Sequence, residues 1–203
     1  MTERPIIFSG PMVRAILAGK KTQTRRMVRL PRPRPMLPGQ VGTIRLYRPD
    51  ECPYGQPGDR LWVREAHRFE AIVCHGCDDA DGCDCGTTRV RYAADAVAID
   101  RTYTDWEPPP GPLRTTARSP IHMPRWASRL TLEVADVRIQ RLHDLSEEDV
   151  RAEGIEHHPA ALAMMSGMWT WRGAFSAAWD AIHGAGAWDA NPWVWAVTFR
   201  VVP

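Results

Sequence analysis

Lys21, Thr24 and Arg26 stand together in the segment Gly19-Lys20-Lys21-Thr22-Gln23-Thr24-Arg25-Arg26. A threonine hydroxyl is a weak nucleophile at neutral pH, and it attacks a carbonyl only when a base takes its proton or a positive charge steadies the oxyanion. Lys21 can supply the base, and the planar fork of Arg26 suits an oxyanion or a phosphate. The same residue types also make a solvated cap after a helix, where the last carbonyls favour cations. Residue type and order alone leave both readings open.

The secondary structure around these groups can be read on either side. Ser9 or Gly10 serves as an N-cap, Pro11 suits a first helical turn, Met12, Ile16 and Leu17 form an apolar face, and Gly19 ends the helix. Lys21 and Thr24 are three residues apart, so on a regular strand they point to opposite faces. They converge only if the chain is still turning at Lys21. Further on, Ser146 caps a helix ending near Gly154, with Asp149 at the third position of a capping box. Glu153 lies in its last turn, where the helix dipole disfavours a carboxylate unless a cation compensates, and Lys21 is the natural partner. Gly55-Gln56-Pro57-Gly58-Asp59 reads as a turn into a strand Leu61 to Glu65. Leu130 to Val134 reads as a second strand, and Trp169 to His183 as a helix packing Trp171, Phe175, Ala178, Trp179 and Ile182 into the core. Trp193, Trp195, Val197, Phe199 and Val201 alternate as a half-buried strand.

Three separated motifs, Gly19-x-Lys21-x-x-Thr24-x-Arg26, Gly58-Asp59-Arg60-Leu61-Trp62-Val63 and Leu145 to Ile155, occur in the order seen in the ASCH domain, which the chain resembles. Trp193 to Phe199 is similar to that family's closing strand, and Ile121-His122-Met123-Pro124-Arg125-Trp126 to a signature of its larger, phage-associated branch. The resemblance implies an α+β fold, a PUA-like β-barrel with peripheral helices. One compact branch, the bacterial N4-acetylcytidine amidohydrolases, hydrolyses the acyl amide of cytidine with a lysine, a threonine and a glutamate. The matching residues here are Lys21, Thr24 and Glu153. Arg26, Glu65 near the barrel mouth, His122, Arg125 and Trp126 are then expected to contact substrate, since an aromatic face stacks on a base and arginine meets phosphate. A non-catalytic nucleic-acid-binding module is the alternative. A ribonuclease is a third reading, without a dedicated metal-carboxylate set to support it.

Four of the five cysteines, Cys74, Cys77, Cys83 and Cys85, fall within twelve residues. Such density in a reducing compartment favours metal over disulfides, and the Cys74-x-x-Cys77 pair has zinc-knuckle spacing that Cys83 and Cys85 complete. Four thiolates close the coordination shell, so the expected zinc is structural. A set with His75 substituted, an iron-sulfur site and no metal are the alternatives; Cys52 stands apart.

The 203 residues allow one domain with decorations: a Pro/Arg-rich insert at about 29–56, including Arg29 to Pro35 and a strand around Val41 to Tyr47, and a Cys-rich insert at about 66–118. Net charge is only +2, yet residues 1 to 50 carry eleven Lys or Arg against two acids, leaving 15 against 22 in the rest. That asymmetry points to RNA, a nucleotide or a modified nucleoside as partner. No apolar run approaches the ~18 residues a membrane span needs. With no signal-peptide pattern read at the N-terminus, a cytoplasmic protein without a membrane partner is expected.

Overall fold

The computed structural model describes residues 1–28, 48–72, 87–102, 116–155 and 170–202. Within them the strands are β1 (Glu3–Ile7), β2 (Gln23–Met27), β3 (Arg60–Arg64), β4 (His67–Ile72), β5 (Thr87–Tyr92), β6 (Ala98–Thr102), β7 (Thr131–Arg141) and β8 (Trp193–Val202). The helices are α1 (Gly10–Leu17), α2 (Glu147–Ala152) and α3 (Trp171–His183). The class is α+β, in two sheets. One has the order β1-β3-β7-β8-β2, and the other β4-β5-β6. β1 runs parallel to β3, and the other neighbours are antiparallel. Among the described residues no strand pairing joins β1 to β2, so the five-stranded sheet is not closed by backbone hydrogen bonds.

β8 is the strand on which the rest is assembled. It pairs with β7 over its whole length, through a bulge between Val134 and Asp136, and with β2 on its other side. Trp195, Val197 and Phe199 point into the main core with Ile6, Phe8, Val13, Ile16, Leu61, Val63, Leu132 and Val134. The expected alternation is present there, but β8 is not half-buried. Val194 and Ala196 on the opposite face are fully covered, and Val194 joins a second core with Leu142, Val150, Phe175 and Trp179 under α2 and α3. Trp193 and Val201, at the ends of the alternating set, are exposed instead. The helix face at α1 differs in the same way: Val13, Ala15 and Ile16 are buried while Leu17 is exposed.

A third core, Phe69, Val90, Tyr92, Met123 and Ala127, lies under the smaller sheet. The expected strand at 41 to 47 and the arm Arg29 to Pro35 lie outside the described residues. So do Cys74, Cys77, Cys83 and Cys85, while Cys52 is buried in the main core. No helix among the described residues is long and apolar enough to cross a membrane.

The turn into β3 is fixed by Asp59. Its carboxylate accepts from the backbone N–H groups of Thr2 at 2.7 Å and Gln56 at 3.1 Å, and those bonds hold its pKa down to about 2. Gly55, at φ +101°, leaves room for it, because a Cβ there would sit 2.9 Å from Asp59 Cβ. A carboxyl with a depressed folded-state pKa stabilises the fold above its ordinary value and stops doing so as pH falls through the folded one. The melting temperature of Asp59→Asn should therefore lie below that of the wild type at pH 6, and the gap should close toward pH 2 in thermal melts across that range.

Candidate functional site

The chain leaves α1 by a tight reversal rather than by entering a strand. Gly19 takes φ +68°, and the N–H groups of Lys20 and Lys21 both donate to Ala15 O, at 2.8 and 3.0 Å. β2 begins only at Gln23, so Lys21 sits off the strand and Thr24 on it. The separation that opposes the two side chains on a regular strand is thereby cancelled, and both line one cleft. Thr22 fastens the turn: its N–H donates to Ala152 O at the end of α2, and its carbonyl accepts from Phe199 N–H on β8, each at 2.8 Å.

α2 brings the third residue. Ser146 Oγ accepts from Asp149 N–H and Asp149 returns the bond to Ser146 N–H, the expected capping box. At the other end Glu153 is the C-cap, followed by Gly154 at φ +65°. A Cβ on Gly154 would lie 3.0 Å from Lys21 Cβ and 3.1 Å from Ala15 Cβ, so glycine is what lets the end of α2 approach the turn. Lys21 Nζ then donates to Glu153 Oε2 at 2.7 Å and to Glu153 O at 2.9 Å. One ammonium serves both an unpaired helix-end carbonyl and the carboxylate that the dipole disfavours.

Arg25 completes the cluster. Its Nη1 donates to Glu153 Oε1 at 3.1 Å and Gln23 Oε1 at 2.6 Å, while Nη2 pairs ionically with Asp149 Oδ2 at 2.9 Å. Asp149 also accepts from Arg138 Nη2 at 3.0 Å. Burial raises the Asp149 carboxyl, but the Ser146 bond, the two arginines and Gln23 outweigh it and leave its pKa lowered. Lys21 is only 2% exposed, and its pKa is lowered. Desolvation is the largest cause. Glu153 opposes it, and Arg26 and Arg25 add to it.

Arg26 reaches across to Ile7 O at 2.5 Å, with its guanidinium 5.2 Å from the Phe8 ring centre. Lys21 Nζ is 5.8 Å from the same ring. Thr24 is buried, and among the described residues its hydroxyl has no hydrogen-bond partner. The cleft has about 70 Å³ of room, enough for roughly five waters. Lys21, Thr24, Arg25, Arg26 and Glu153 form its polar side, Pro11 and Met12 its rim, and Phe175, Ala178, Trp179, Ile182 and His183 its apolar wall.

That wall was not apparent in the sequence, where α3 reads as core packing. Ala174, Phe175, Ala178 and Trp179 are indeed buried, and the same helix continues past the core to face the cleft. Trp179 and His183, four residues apart on one face with ring centres 4.2 Å apart, were the available signal. Burial, then the charge of Arg26, lowers the His183 pKa.

Of the expected substrate contacts, only Arg26 lines the cleft. Glu65 is buried against Arg129, which binds both carboxylate oxygens at 2.8 and 2.9 Å, and desolvation raises the Glu65 pKa. Arg125 holds Glu3 through two bonds at 2.7 and 2.8 Å. Trp126 stacks on Phe69 at 5.4 Å beside the third core, and His122 is exposed on a short 3₁₀ turn. Among the described residues no group of three or more His, Cys, Asp or Glu could hold a metal ion.

Comparison of the chain with protein-family profiles, curated proteins and solved structures gives no match.

Removing the carboxylate that two buried cations share leaves Lys21 without an anionic partner and Arg25 with Asp149 alone. Glu153→Ala is expected to destabilise the fold by about 3–5 kcal/mol. Arg138→Ala, whose guanidinium is about half exposed, should cost only about 1 kcal/mol. Urea denaturation of the two variants beside the wild type checks the contrast.

Proposed function

We propose that the cleft binds the acylated base of N4-acylcytidine and hydrolyses its amide, with Thr24 as nucleophile, Lys21 as base and Glu153 holding Lys21. The observation that carries this reading is the convergence of these three residues, from a turn, a strand and a helix end, on one small cleft with Lys21 desolvated. In the reaction Thr24 Oγ attacks the acyl carbonyl carbon while neutral Lys21 takes its proton. Arg26 faces the developing oxyanion. The carbon–nitrogen bond breaks, the exocyclic nitrogen takes the proton from Lys21, and cytidine leaves. Water, deprotonated by Lys21, then attacks the threonine ester; the ester C–O bond breaks, Thr24 Oγ takes that proton back from Lys21, and the carboxylic acid leaves. The apolar wall of Phe175, Ala178 and Trp179 suits a planar base.

The same reading takes the five-stranded sheet as the wall of a PUA-like barrel. Its support is the Arg26 bond to Ile7 O, which ties edge strand β2 to the end of edge strand β1. A structural zinc on Cys74, Cys77, Cys83 and Cys85 stays separate from the chemistry; metal analysis of purified protein should find about one zinc per chain.

A second reading is favoured by one observation: Lys21 Nζ donates twice to Glu153, as an ammonium does, and an ammonium is not a base. In that case the cleft binds the base without cleaving it. Chromatography of N4-acetylcytidine with purified protein separates the two. Hydrolysis predicts cytidine release that falls about 10²–10⁴-fold in Thr24→Ala while affinity for the nucleoside is kept. Because Lys21 must be neutral and burial lowers its pKa, kcat should rise with pH and level off below the ordinary lysine value of 10.5. Lys21→Arg should be inactive at every pH. Absence of turnover with intact nucleoside binding would leave the binding reading.

A further inference from the structure

A second cleft lies on the other side of the Lys20–Lys21 turn, lined by Gly19, Lys20, Arg151, Ile155 and Trp171. It shares Ile155 with the first cleft and has about 360 Å³ of room, against about 70 Å³ there. Consecutive residues thus serve the two spaces: Lys21 faces the small cleft and Lys20 the large one.

The chemistry of the larger cleft differs from that of the first. Its described lining contains two cations and no carboxylate. Lys20 is exposed, and among the described residues it has no ion pair. Arg151 reaches Glu147 only at 3.8 Å, with both side chains more than half exposed, a pairing worth little in water. Its guanidinium lies 5.2 Å from the ring centre of Trp171, which directs a cation onto an aromatic face. Trp171 is the first residue of α3, whose first turn carries no acid, so the positive end of that helix adds to the field. Two cations, an indole and a helix N-terminus around an open space match a phosphodiester with an adjoining base.

We propose that this cleft is a subsite for the nucleotide next to the acylated one, so that the site takes its base from a single-stranded polynucleotide rather than as a free nucleoside. The inference rests on the reading of the first cleft as a base site, and it assigns the basic quarter of the chain a contact: Lys20 on the backbone phosphate. Arg151, seated against Trp171, shares that phosphate. The small cleft accepts the acyl group and the edge of its base, and the larger one takes the bulkier neighbour.

The test measures binding and turnover of three probes: N4-acetylcytidine, its 5′-monophosphate, and a three-nucleotide RNA with N4-acetylcytidine at its centre. A DNA trimer with the N4-acetyldeoxycytidine base tells the sugar apart. Wild type is compared with the double variant Lys20→Ala/Arg151→Ala, whose side chains are exposed and whose thermal melt should match. The RNA trimer is expected to bind about tenfold more tightly than the nucleoside, with the advantage shrinking as salt rises. In the double variant that advantage should vanish while nucleoside affinity stays within about twofold. A trimer that binds no better than the nucleoside, or an advantage that survives the double substitution, overturns the subsite. An advantage reproduced by the monophosphate alone overturns the polymer and leaves a phosphate contact. Tight, Lys20- and Arg151-dependent trimer binding without turnover would uphold the subsite and sink only the hydrolysis.

Discussion

A buried carboxylate shared by two buried cations is the constraint around which this site is built. Glu153 can lie at the end of α2, against the helix dipole and out of water, only because Lys21 and Arg25 take its two oxygens. Those partners come from different places: Lys21 from the reversal after α1, Arg25 from β2. Satisfying one charge therefore fixes α1, β2 and α2 relative to one another. Removing a member exposes the others to the full cost of desolvation, which is why geometry here is less tolerant than at the exposed pairs of the surface.

β8 supplies the frame that makes such a cluster affordable. With one face in the main core and Val194 in the second, the strand holds β2 at a register where Thr24 faces Val197 and Arg25 faces Ala196. Thr22, one residue before β2, continues that pairing through its carbonyl and hands its N–H to α2. The cleft thus forms at a seam, where a strand edge, a helix start and a helix end meet and none of them can close the space completely. Phe175, Trp179 and His183 complete it because α3 packs on the second core and overhangs the edge.

Local signals carried much of this into the sequence. The stop at Gly19, the capping box of Ser146 and Asp149, and the awkward place of Glu153 at a helix end are short-range facts, and from them a Lys21–Glu153 pair could be argued. What needed register was not legible. Arg25 reads as one more basic residue until β2 is paired with β8, and no local signal says that Arg129, 64 positions away, binds both oxygens of Glu65. His122, Arg125 and Trp126 stand together in sequence but do not line the cleft, since a cluster in sequence meets a site in space only if the elements around it turn toward it. The wall of α3 was hidden differently: an apolar helical face looks the same whether it covers a core, lines a cleft or, as here, does both.

The double partnership of Glu153 also bears on how Lys21 can act. A lysine that alone neutralised a buried carboxylate would be locked in its charged form, because losing the proton would strand an anion in the protein. Arg25 removes that obstacle. It keeps Glu153 Oε1, while Asp149, which it also meets, has Arg138 as a second cation. Deprotonated Lys21 therefore leaves behind a carboxylate that is still paired, and the nearby charges of Arg25 and Arg26 favour the loss. The arrangement that stabilises the fold when Lys21 is an ammonium is thus also one that survives when it is an amine, which is the condition a lysine base beside a threonine must meet.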